Sequence, residues 1–226
     1  MNDDLIKSLE DDLAHAKAEH EKTPHPFPSR NSQQEWGAYQ NAYARMLEAE
    51  RKLAAARHEE YAADIAFPLK WCTGAPCPIL LANDYRSFLT FFVAKVDPDW
   101  DGTYTTVSDP ADSQNTGVGV VEFDLCVGSK LGDPNDEVFH GHPLHGRGMR
   151  AYTAQEVINS RWIDETDRIN SVHSQYSPES WKKLRHYVFW FHDSTFECLA
   201  MSFKAQLRNE SMPEVLQYLS DRLIHG

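Results

Sequence analysis

The chain has 226 residues, of which 41% are hydrophobic and 12% aromatic, enough to build a substantial packed core without disulfide bonds. Its 34 acidic and 22 basic residues give a formal net charge of −12, which argues against nucleic acid or an anionic membrane as the principal partner. Because it has only four cysteines, no secretory-signal pattern and no long apolar run, we expect a cytoplasmic protein with reduced thiols.

Residues 1–66 are predicted to form a helical hairpin, the first of two domains. Apolar residues of its first helix recur at spacings of four, four and three, on one face: Leu5, Leu9, Leu13 and Ala16. The segment Thr23–Arg30 carries three prolines in five residues, so no helix crosses it. A second helix is predicted from about Ser32 to about Ala66, with Pro68 ending it.

This second helix would be long. About 34 residues at 1.5 Å per residue span roughly 50 Å, which is more than a small core covers. Its apolar seam identifies a buried face without identifying what covers that face. Two interpretations therefore stay open: residues 32–66 pair with a second copy in a homodimer, or the arm wraps around its own domain.

Residues 67–226 are predicted to form a mainly antiparallel sheet with two or three helices, so the expected fold class is α+β. The β-branched and aromatic segment Phe88–Val96 is a predicted strand, followed by a turn at 97–102 and a polar loop or short hairpin at 103–116. A half-buried strand is predicted after Gly119. Its apolar side would carry Val121, Phe123, Leu125 and Val127.

The segment 151–158 fits two structures. It is either the first turns of a helix that runs to about 172, or a strand that precedes a shorter helix capped by Asn159 or Ser160. A short helix is expected to begin at Ser177, with Pro178 at its first position.

The strongest strand pair predicted from the sequence is a hairpin of His186–His192 and Phe196–Phe203. The tight turn 193–195 joins the two strands. A terminal helix opened by Pro213 completes the chain, with an apolar stripe of Val215, Leu216, Leu219 and Leu223.

Three of the eleven histidines, His140, His142 and His145, lie close together in a Gly/Pro-rich segment. If the segment is extended, His140 and His142 project from one face, and the turn at Pro143 lets His145 swing back toward them. Zinc or iron needs about three such ligands, and Asp136 or Glu137 could add a carboxylate. The alternative is an ordinary bent loop whose histidines face solvent or cap backbone groups.

The hairpin holds a second group of reactive side chains. With a four-residue loop, His192 would face Glu197 and could act as a general base near a turn hydroxyl. With a two-residue loop, Trp190 would face Glu197 instead. The alternative is that residues 193–195 satisfy the turn's own backbone. The weak catalytic candidates are therefore His192 and Glu197, together with Glu137.

Three arginines form a candidate ligand-binding group. Arg86 precedes the first predicted strand, and Arg147 and Arg150 flank the histidine segment. At one end of a sheet they could hold a carboxylate or a phosphate. The spacing of Cys72 and Cys77 matches neither a redox dithiol nor a zinc site, and Cys126 and Cys198 are interpreted as core residues of strands.

No motif completes a catalytic set, so the sequence does not decide whether the chain is an enzyme. The first hypothesis is a non-catalytic domain that binds a small ligand or a partner protein and carries a helical assembly arm. The second is a metal-dependent enzyme, for example a hydrolase, that uses the histidine cluster. The third is an acidic protein of the immunity or decoy type that masks a basic partner.

Overall fold

The computed structural model describes residues 2–23, 33–94 and 117–225. In chain order its elements are α1 (Asn2–Glu21), α2 (Gln33–Ala56), β1 (Tyr61–Asp64), β2 (Ile79–Ala82), β3 (Ser87–Phe92), β4 (Val118–Asp124), β5 (Gly128–Gly132), a 3₁₀ helix (Asp136–Gly141), β6 (Ala154–Ile158), α3 (Arg161–Asn170), α4 (Pro178–Trp181), β7 (Arg185–Trp190), β8 (Thr195–Ala200), β9 (Ser202–Arg208) and α5 (Met212–His225). The predicted α+β class is confirmed. Within the described ranges, the helices are all too short or too polar to span a bilayer.

The predicted helical hairpin is present, since α1 packs along α2. Its second helix is shorter than predicted and ends at Ala56. His58 takes a left-handed backbone conformation (φ 55°), and the Glu59 amide donates to the carbonyl of Ala54, an arrangement that closes a helix C-terminus. Glycine usually marks such an end, and a histidine in its place hides the signal. The 24 residues of α2 span about 36 Å.

Strand β1 was also part of the predicted helix, but it pairs with β6 in a sheet. The division into domains at residue 66 stays a prediction.

Two antiparallel sheets pack face to face and enclose the main core. The strand order is β1-β6-β7-β8-β5 in the five-stranded sheet and β2-β3-β4-β9 in the four-stranded sheet. Aromatic rings fill the space between them: Trp71, Phe91, Phe123, Phe189 and Phe196. The structure is therefore a β-sandwich, and additional segments cover both of its outer faces.

Helix α5 covers the outer face of the four-stranded sheet. Its predicted apolar stripe is confirmed, since Val215 and Leu219 are buried against Phe88 and Val120. On the other side, Leu144 and Met149 pack against Val157, Val188 and Trp190 on the outer face of the five-stranded sheet. Both faces of each sheet are thus apolar at their centres, which explains why β4 and β7 are buried almost throughout rather than alternating.

The chain passes from one sheet to the other three times, and the crossings from β4 to β5 and from β8 to β9 lie at neighbouring points. Residues 125–127 lead from β4 to β5, and Met201 alone separates β8 from β9. The amide of Val127 donates to the carbonyl of Leu199 in β8, and the amide of Met201 donates to the carbonyl of Asp124 in β4. Each of these two crossings is thus hydrogen-bonded to the strand that leads into the other. Leu125, with φ 48°, and Val127 are about half exposed, so the prediction that both face the core is wrong.

Of the two structures considered for 151–158, the strand is observed. The helix α3 begins after Ser160, whose Oγ accepts a hydrogen bond from the Ile163 amide at 3.3 Å. The short helix with Pro178 at its start is confirmed. The predicted turn at 97–102 and the loop at 103–116 lie outside the described residues.

The predicted hairpin of β7 and β8 is confirmed, but both registers proposed for it are wrong. The turn residues are His192 and Asp193, and Glu197 pairs with Val188 rather than with His192 or Trp190. This register places Phe189 opposite Phe196, where the two rings meet edge to face in the core at 5.8 Å.

Candidate functional site

A cavity of about 470 Å³ lies on the outer face of the five-stranded sheet. We call Phe139–Gly148 the histidine loop and this space the histidine-loop cavity. The loop forms one side, α3 contributes Trp162, and the floor is the sheet itself. Its apolar lining consists of Pro134, Val138, Pro143, Leu144, Val157 and Trp162. Its ionisable lining consists of Glu60, Lys130, Asp133, His142, His186 and Glu197.

The strand register assembles a charged network at the cavity floor. Glu197 pairs with Lys130 on one side and with Val188 on the other, and His186 precedes Val188 by two residues, so its side chain points to the same face. One carboxylate oxygen of Glu197 lies 2.8 Å from Lys130 Nζ and the other lies 2.8 Å from His186 Nε2. The sheet thus holds one anion between two nitrogen donors.

These contacts determine the charge of Glu197. Burial by itself would raise the pKa of Glu197, but the hydrogen bonds from His186 and Lys130 outweigh burial and lower the pKa to about 2. Glu197 is therefore ionised at neutral pH and acts as a hydrogen-bond acceptor. Both of its oxygens are engaged, so it is poorly placed to serve as a general base.

His186 extends the network to Ser160. Because Nε2 faces a carboxylate, we assign the imidazole proton to Nε2, and Nδ1 then accepts from the Ser160 hydroxyl at 2.9 Å. The order serine–histidine–carboxylate is that of an activated nucleophile. However, Ser160 is only 4% exposed, does not line the cavity, and also caps α3. The arrangement rigidifies the floor and gives no hydroxyl access to a bound molecule.

His142 is the member of the histidine loop that reaches the cavity. Its Nδ1 accepts the amide of Leu144 at 3.2 Å, and its ring meets Trp190 edge to face at 5.2 Å. Burial lowers the pKa of His142, so the ring is neutral at pH 7 and carries its proton on Nε2. Among the described residues none hydrogen-bonds this Nε2, which leaves one donor available to a ligand.

The other two histidines of the cluster face each other. His140 Nδ1 and His145 Nε2 are 3.0 Å apart on the exposed side of the loop. Because His140 lies in a 3₁₀ helix, the expected extended geometry is wrong. Within 2–23, 33–94 and 117–225, no three His, Cys, Asp or Glu side chains are grouped to hold a metal ion. Metal binding by His140, His142 and His145 stays a prediction that this geometry does not strengthen.

His192 lies away from the cavity, in contact with Asp136. Its Nδ1 is 3.0 Å from Asp136 Oδ2, and the Tyr152 hydroxyl donates to the same carboxylate. Glu137 is exposed. The structure therefore separates the three catalytic candidates, and only Glu197 lines the cavity.

The three candidate arginines do not line the histidine-loop cavity. Each lies within 4 Å of a different carboxylate: Arg86 near Glu122, Arg147 near Glu59 and Arg150 near Asp64. Glu122 also pairs with Arg222, and Asp64 also pairs with Arg51. A common anion site formed by them stays a prediction.

Sequence reasoning missed Lys130, Ser160, Trp162 and His186. The available signal was a charged or imidazole side chain inside a strongly apolar strand, which both His186 and Glu197 show. His186, Glu197 and Lys130 come together only through the pairing register of β7, β8 and β5.

The comparisons with known proteins identify no relative: no protein-family model, no curated protein and no solved structure matches the chain.

Proposed function

We propose that the chain binds a small organic molecule in the histidine-loop cavity and does not chemically convert it. The observation that carries this proposal is an apolar cavity wall above the charged network of Lys130, His186 and Glu197. The members of this network already form hydrogen bonds or ion pairs with one another. The volume of about 470 Å³ is within the range typical of ligand sites. A preformed floor of this kind would lose little conformational entropy when a ligand binds.

The chemistry of the lining suggests the class of ligand. Trp162, Val138 and Pro143 favour an apolar body, for example one ring. The free N–H of His142 and the remaining N–H groups of Lys130 favour a hydrogen-bond acceptor at one end. Glu60 and Asp133 also line the cavity and would repel a polyanion. The ligand would therefore be an amide, an alcohol or a monocarboxylate with a compact apolar part.

A ligand-observed NMR screen would test this proposal. It would compare one-ring amides, alcohols and monocarboxylates with primary amines of matched size. We expect binding in the first group, and at least tenfold weaker binding to the His142→Ala and Trp162→Ala variants. His145→Ala is the matched control, because it changes the same loop outside the cavity. Hits that bind all three variants equally, or a preference for the amines, would contradict the proposal.

The other two hypotheses have less support. A metal-dependent enzyme needs three converging ligands, whereas His142 points away from the contact between His140 and His145. An acidic protein that masks a basic partner rests on the net charge alone.

A further inference from the structure

A second cavity, of about 420 Å³, lies beside the segment that leads from the five-stranded sheet to the four-stranded sheet. This segment, residues 64–71, ends where Trp71 pairs with Val93 directly after β3. Residues 150–154, which lead into β6, also line the cavity. We call residues 64–71 the linking segment and this space the linking-segment cavity. It shares no lining residue with the histidine-loop cavity.

The apolar lining of this cavity is continuous with the main core. Trp71 is part of the aromatic core between the sheets, and Phe67 packs against it, with its ring 5.1 Å from that of Phe189. The other apolar lining residues are Ile65, Leu69, Ala94 and Ala154. The cavity can therefore bury the apolar part of a ligand against side chains that the core already holds in place.

The charged lining of the cavity favours an anion. It consists of Asp64, Lys70 and Arg150. Asp64 is already neutralised, since it lies 3.1 Å from Arg51 and 3.5 Å from Arg150 and accepts a hydrogen bond from Gln155 at 3.0 Å. In the described part of the chain, no carboxylate lies within 4 Å of the Lys70 ammonium group. The lining thus has a net positive charge in a chain whose net charge is −12.

Trp71 gives a second reason to expect a ligand with a hydrogen-bond acceptor. It lines the cavity and is 4% exposed, and its Nε1 has no hydrogen-bond partner within the residues that the structure describes. A buried donor without an acceptor is unfavourable, so an acceptor that reached the indole would supply what the chain does not.

We propose that the linking-segment cavity binds an aliphatic monocarboxylate, with the carboxylate at Lys70 and the chain against Phe67 and Leu69. It is a second ligand site, independent of the function proposed for the histidine-loop cavity. The ligand carries a single charge, because a second anionic group would approach Asp64. Its chain is flexible and narrow, which suits a space that extends beside the linking segment rather than a flat surface.

An NMR titration of the isotope-labelled full-length chain with octanoate tests the site. We expect the backbone amide signals of residues 64–71 and 150–154 to shift, and shifts in residues 141–144 would report the histidine-loop cavity separately. Affinity should rise from butanoate to octanoate, because the apolar lining buries the added methylene groups. Octylamine has the same chain with the opposite charge and should bind about tenfold more weakly than octanoate.

The Lys70→Met variant tests the ammonium group. It should weaken octanoate binding about fivefold and leave binding of the neutral octanamide unchanged. Lys183→Met is the matched control, because Lys183 is exposed and lies outside both cavities. The proposal is overturned if octanoate does not shift the signals of residues 64–71, if octylamine binds as tightly as octanoate, or if Lys70→Met has no more effect than Lys183→Met.

Discussion

Glu197 shows how one residue can depend on its neighbours for its charge. Its side chain is 10% exposed, yet it stays ionised because His186 and Lys130 donate to its two oxygens. An anion in such a position is tolerated only while its partners remain. The two partners are unequal, since Lys130 is 60% exposed and His186 is buried.

Replacing Glu197 by alanine should lower the free energy of unfolding by about 3 kcal/mol, because His186 would lose its buried acceptor and the floor would keep an unpaired donor. Lys130→Met is the matched control and should cost less than about 1 kcal/mol, because the ammonium group is mostly solvated. Chemical denaturation of both variants would measure the difference. Equal losses would mean that the network contributes no more than an ordinary surface ion pair.

The contact between His192 and Asp136 should make stability depend on pH. The contact with Asp136 raises the pKa of His192 above its ordinary value of 6.5, so its contribution is complete below that pH and is lost as pH rises through the raised value. Burial would raise the pKa of Asp136, but the hydrogen bond from Tyr152 and the nearby His192 ring lower it below 3.8. Its contribution is present above that pH and is lost in stronger acid.

Both contributions are therefore complete between about pH 4 and pH 6.5. The loss of unfolding free energy in Asp136→Asn should be larger at about pH 5.5 than at about pH 8.5. Denaturation at the two pH values would measure it. Asp193→Asn is the control, since Asp193 is 80% exposed and 3.9 Å from His192. A loss that does not vary with pH would show that His192 does not titrate against Asp136.

Among the elements, the helical arm is held to the sandwich through α2. Glu50, which is buried, accepts the Gly148 amide at 2.9 Å, and Arg51 donates to the carbonyl oxygens of Ala62 and Gly148. Gly148 has a φ of 79°, and a Cβ there would lie 2.7 Å from the Ala62 carbonyl oxygen. The position requires glycine for both its conformation and its space.

Gly148→Ala should therefore destabilise the fold by more than about 2 kcal/mol, because backbone strain and a backbone clash act together. Gly146→Ala separates the two effects. Gly146 has a similar φ of 76° but nothing within 4 Å of the added carbon, so only the strain of about 1 kcal/mol applies. Thermal unfolding of the two variants would measure the difference, and similar losses would show that the anchor contact is unimportant.

The sequence predicted the elements whose apolar residues recur regularly. It missed the elements that are defined only by pairing with another strand or by a backbone conformation. The β7–β8 hairpin and α5 were predictable because their apolar residues recur regularly. The end of α2 was not, because His58 occupies a position where glycine is the usual signal. The short edge strands β1 and β5 each have a single neighbour, β6 and β8, and only that pairing defines them.

The candidate site was predictable only in part, for the same reason. The histidine cluster indicated the correct loop, and Glu197 was a named candidate. Lys130 and His186 join Glu197 only through cross-strand pairing, and a shift of two residues in the β7–β8 register would separate His186 from Glu197.

At the scale of the whole molecule, part of the apolar seam of α2 is covered within the chain. Leu47 is 3% exposed and Leu53 is 7% exposed, whereas Tyr39 and Tyr43 are partly exposed. This burial favours the interpretation that the arm wraps its own domain, and the homodimer through residues 32–66 stays a prediction. We expect light scattering at about 10 µM to give a mass near 25.9 kDa. Twice that mass would instead support the homodimer.

The neighbouring crossings from β4 to β5 and from β8 to β9 have a consequence for how the protein is made. During synthesis β1 emerges early, but its partner β6 appears only about 90 residues later, and β5 waits for β8. The last strand of the five-stranded sheet, β8, and the last strand of the four-stranded sheet, β9, are separated only by Met201, so the two sheets are completed almost together. The nascent chain would thus expose the edges of β1 and β5 until its last third leaves the ribosome, and both sheets would then close in one cooperative step.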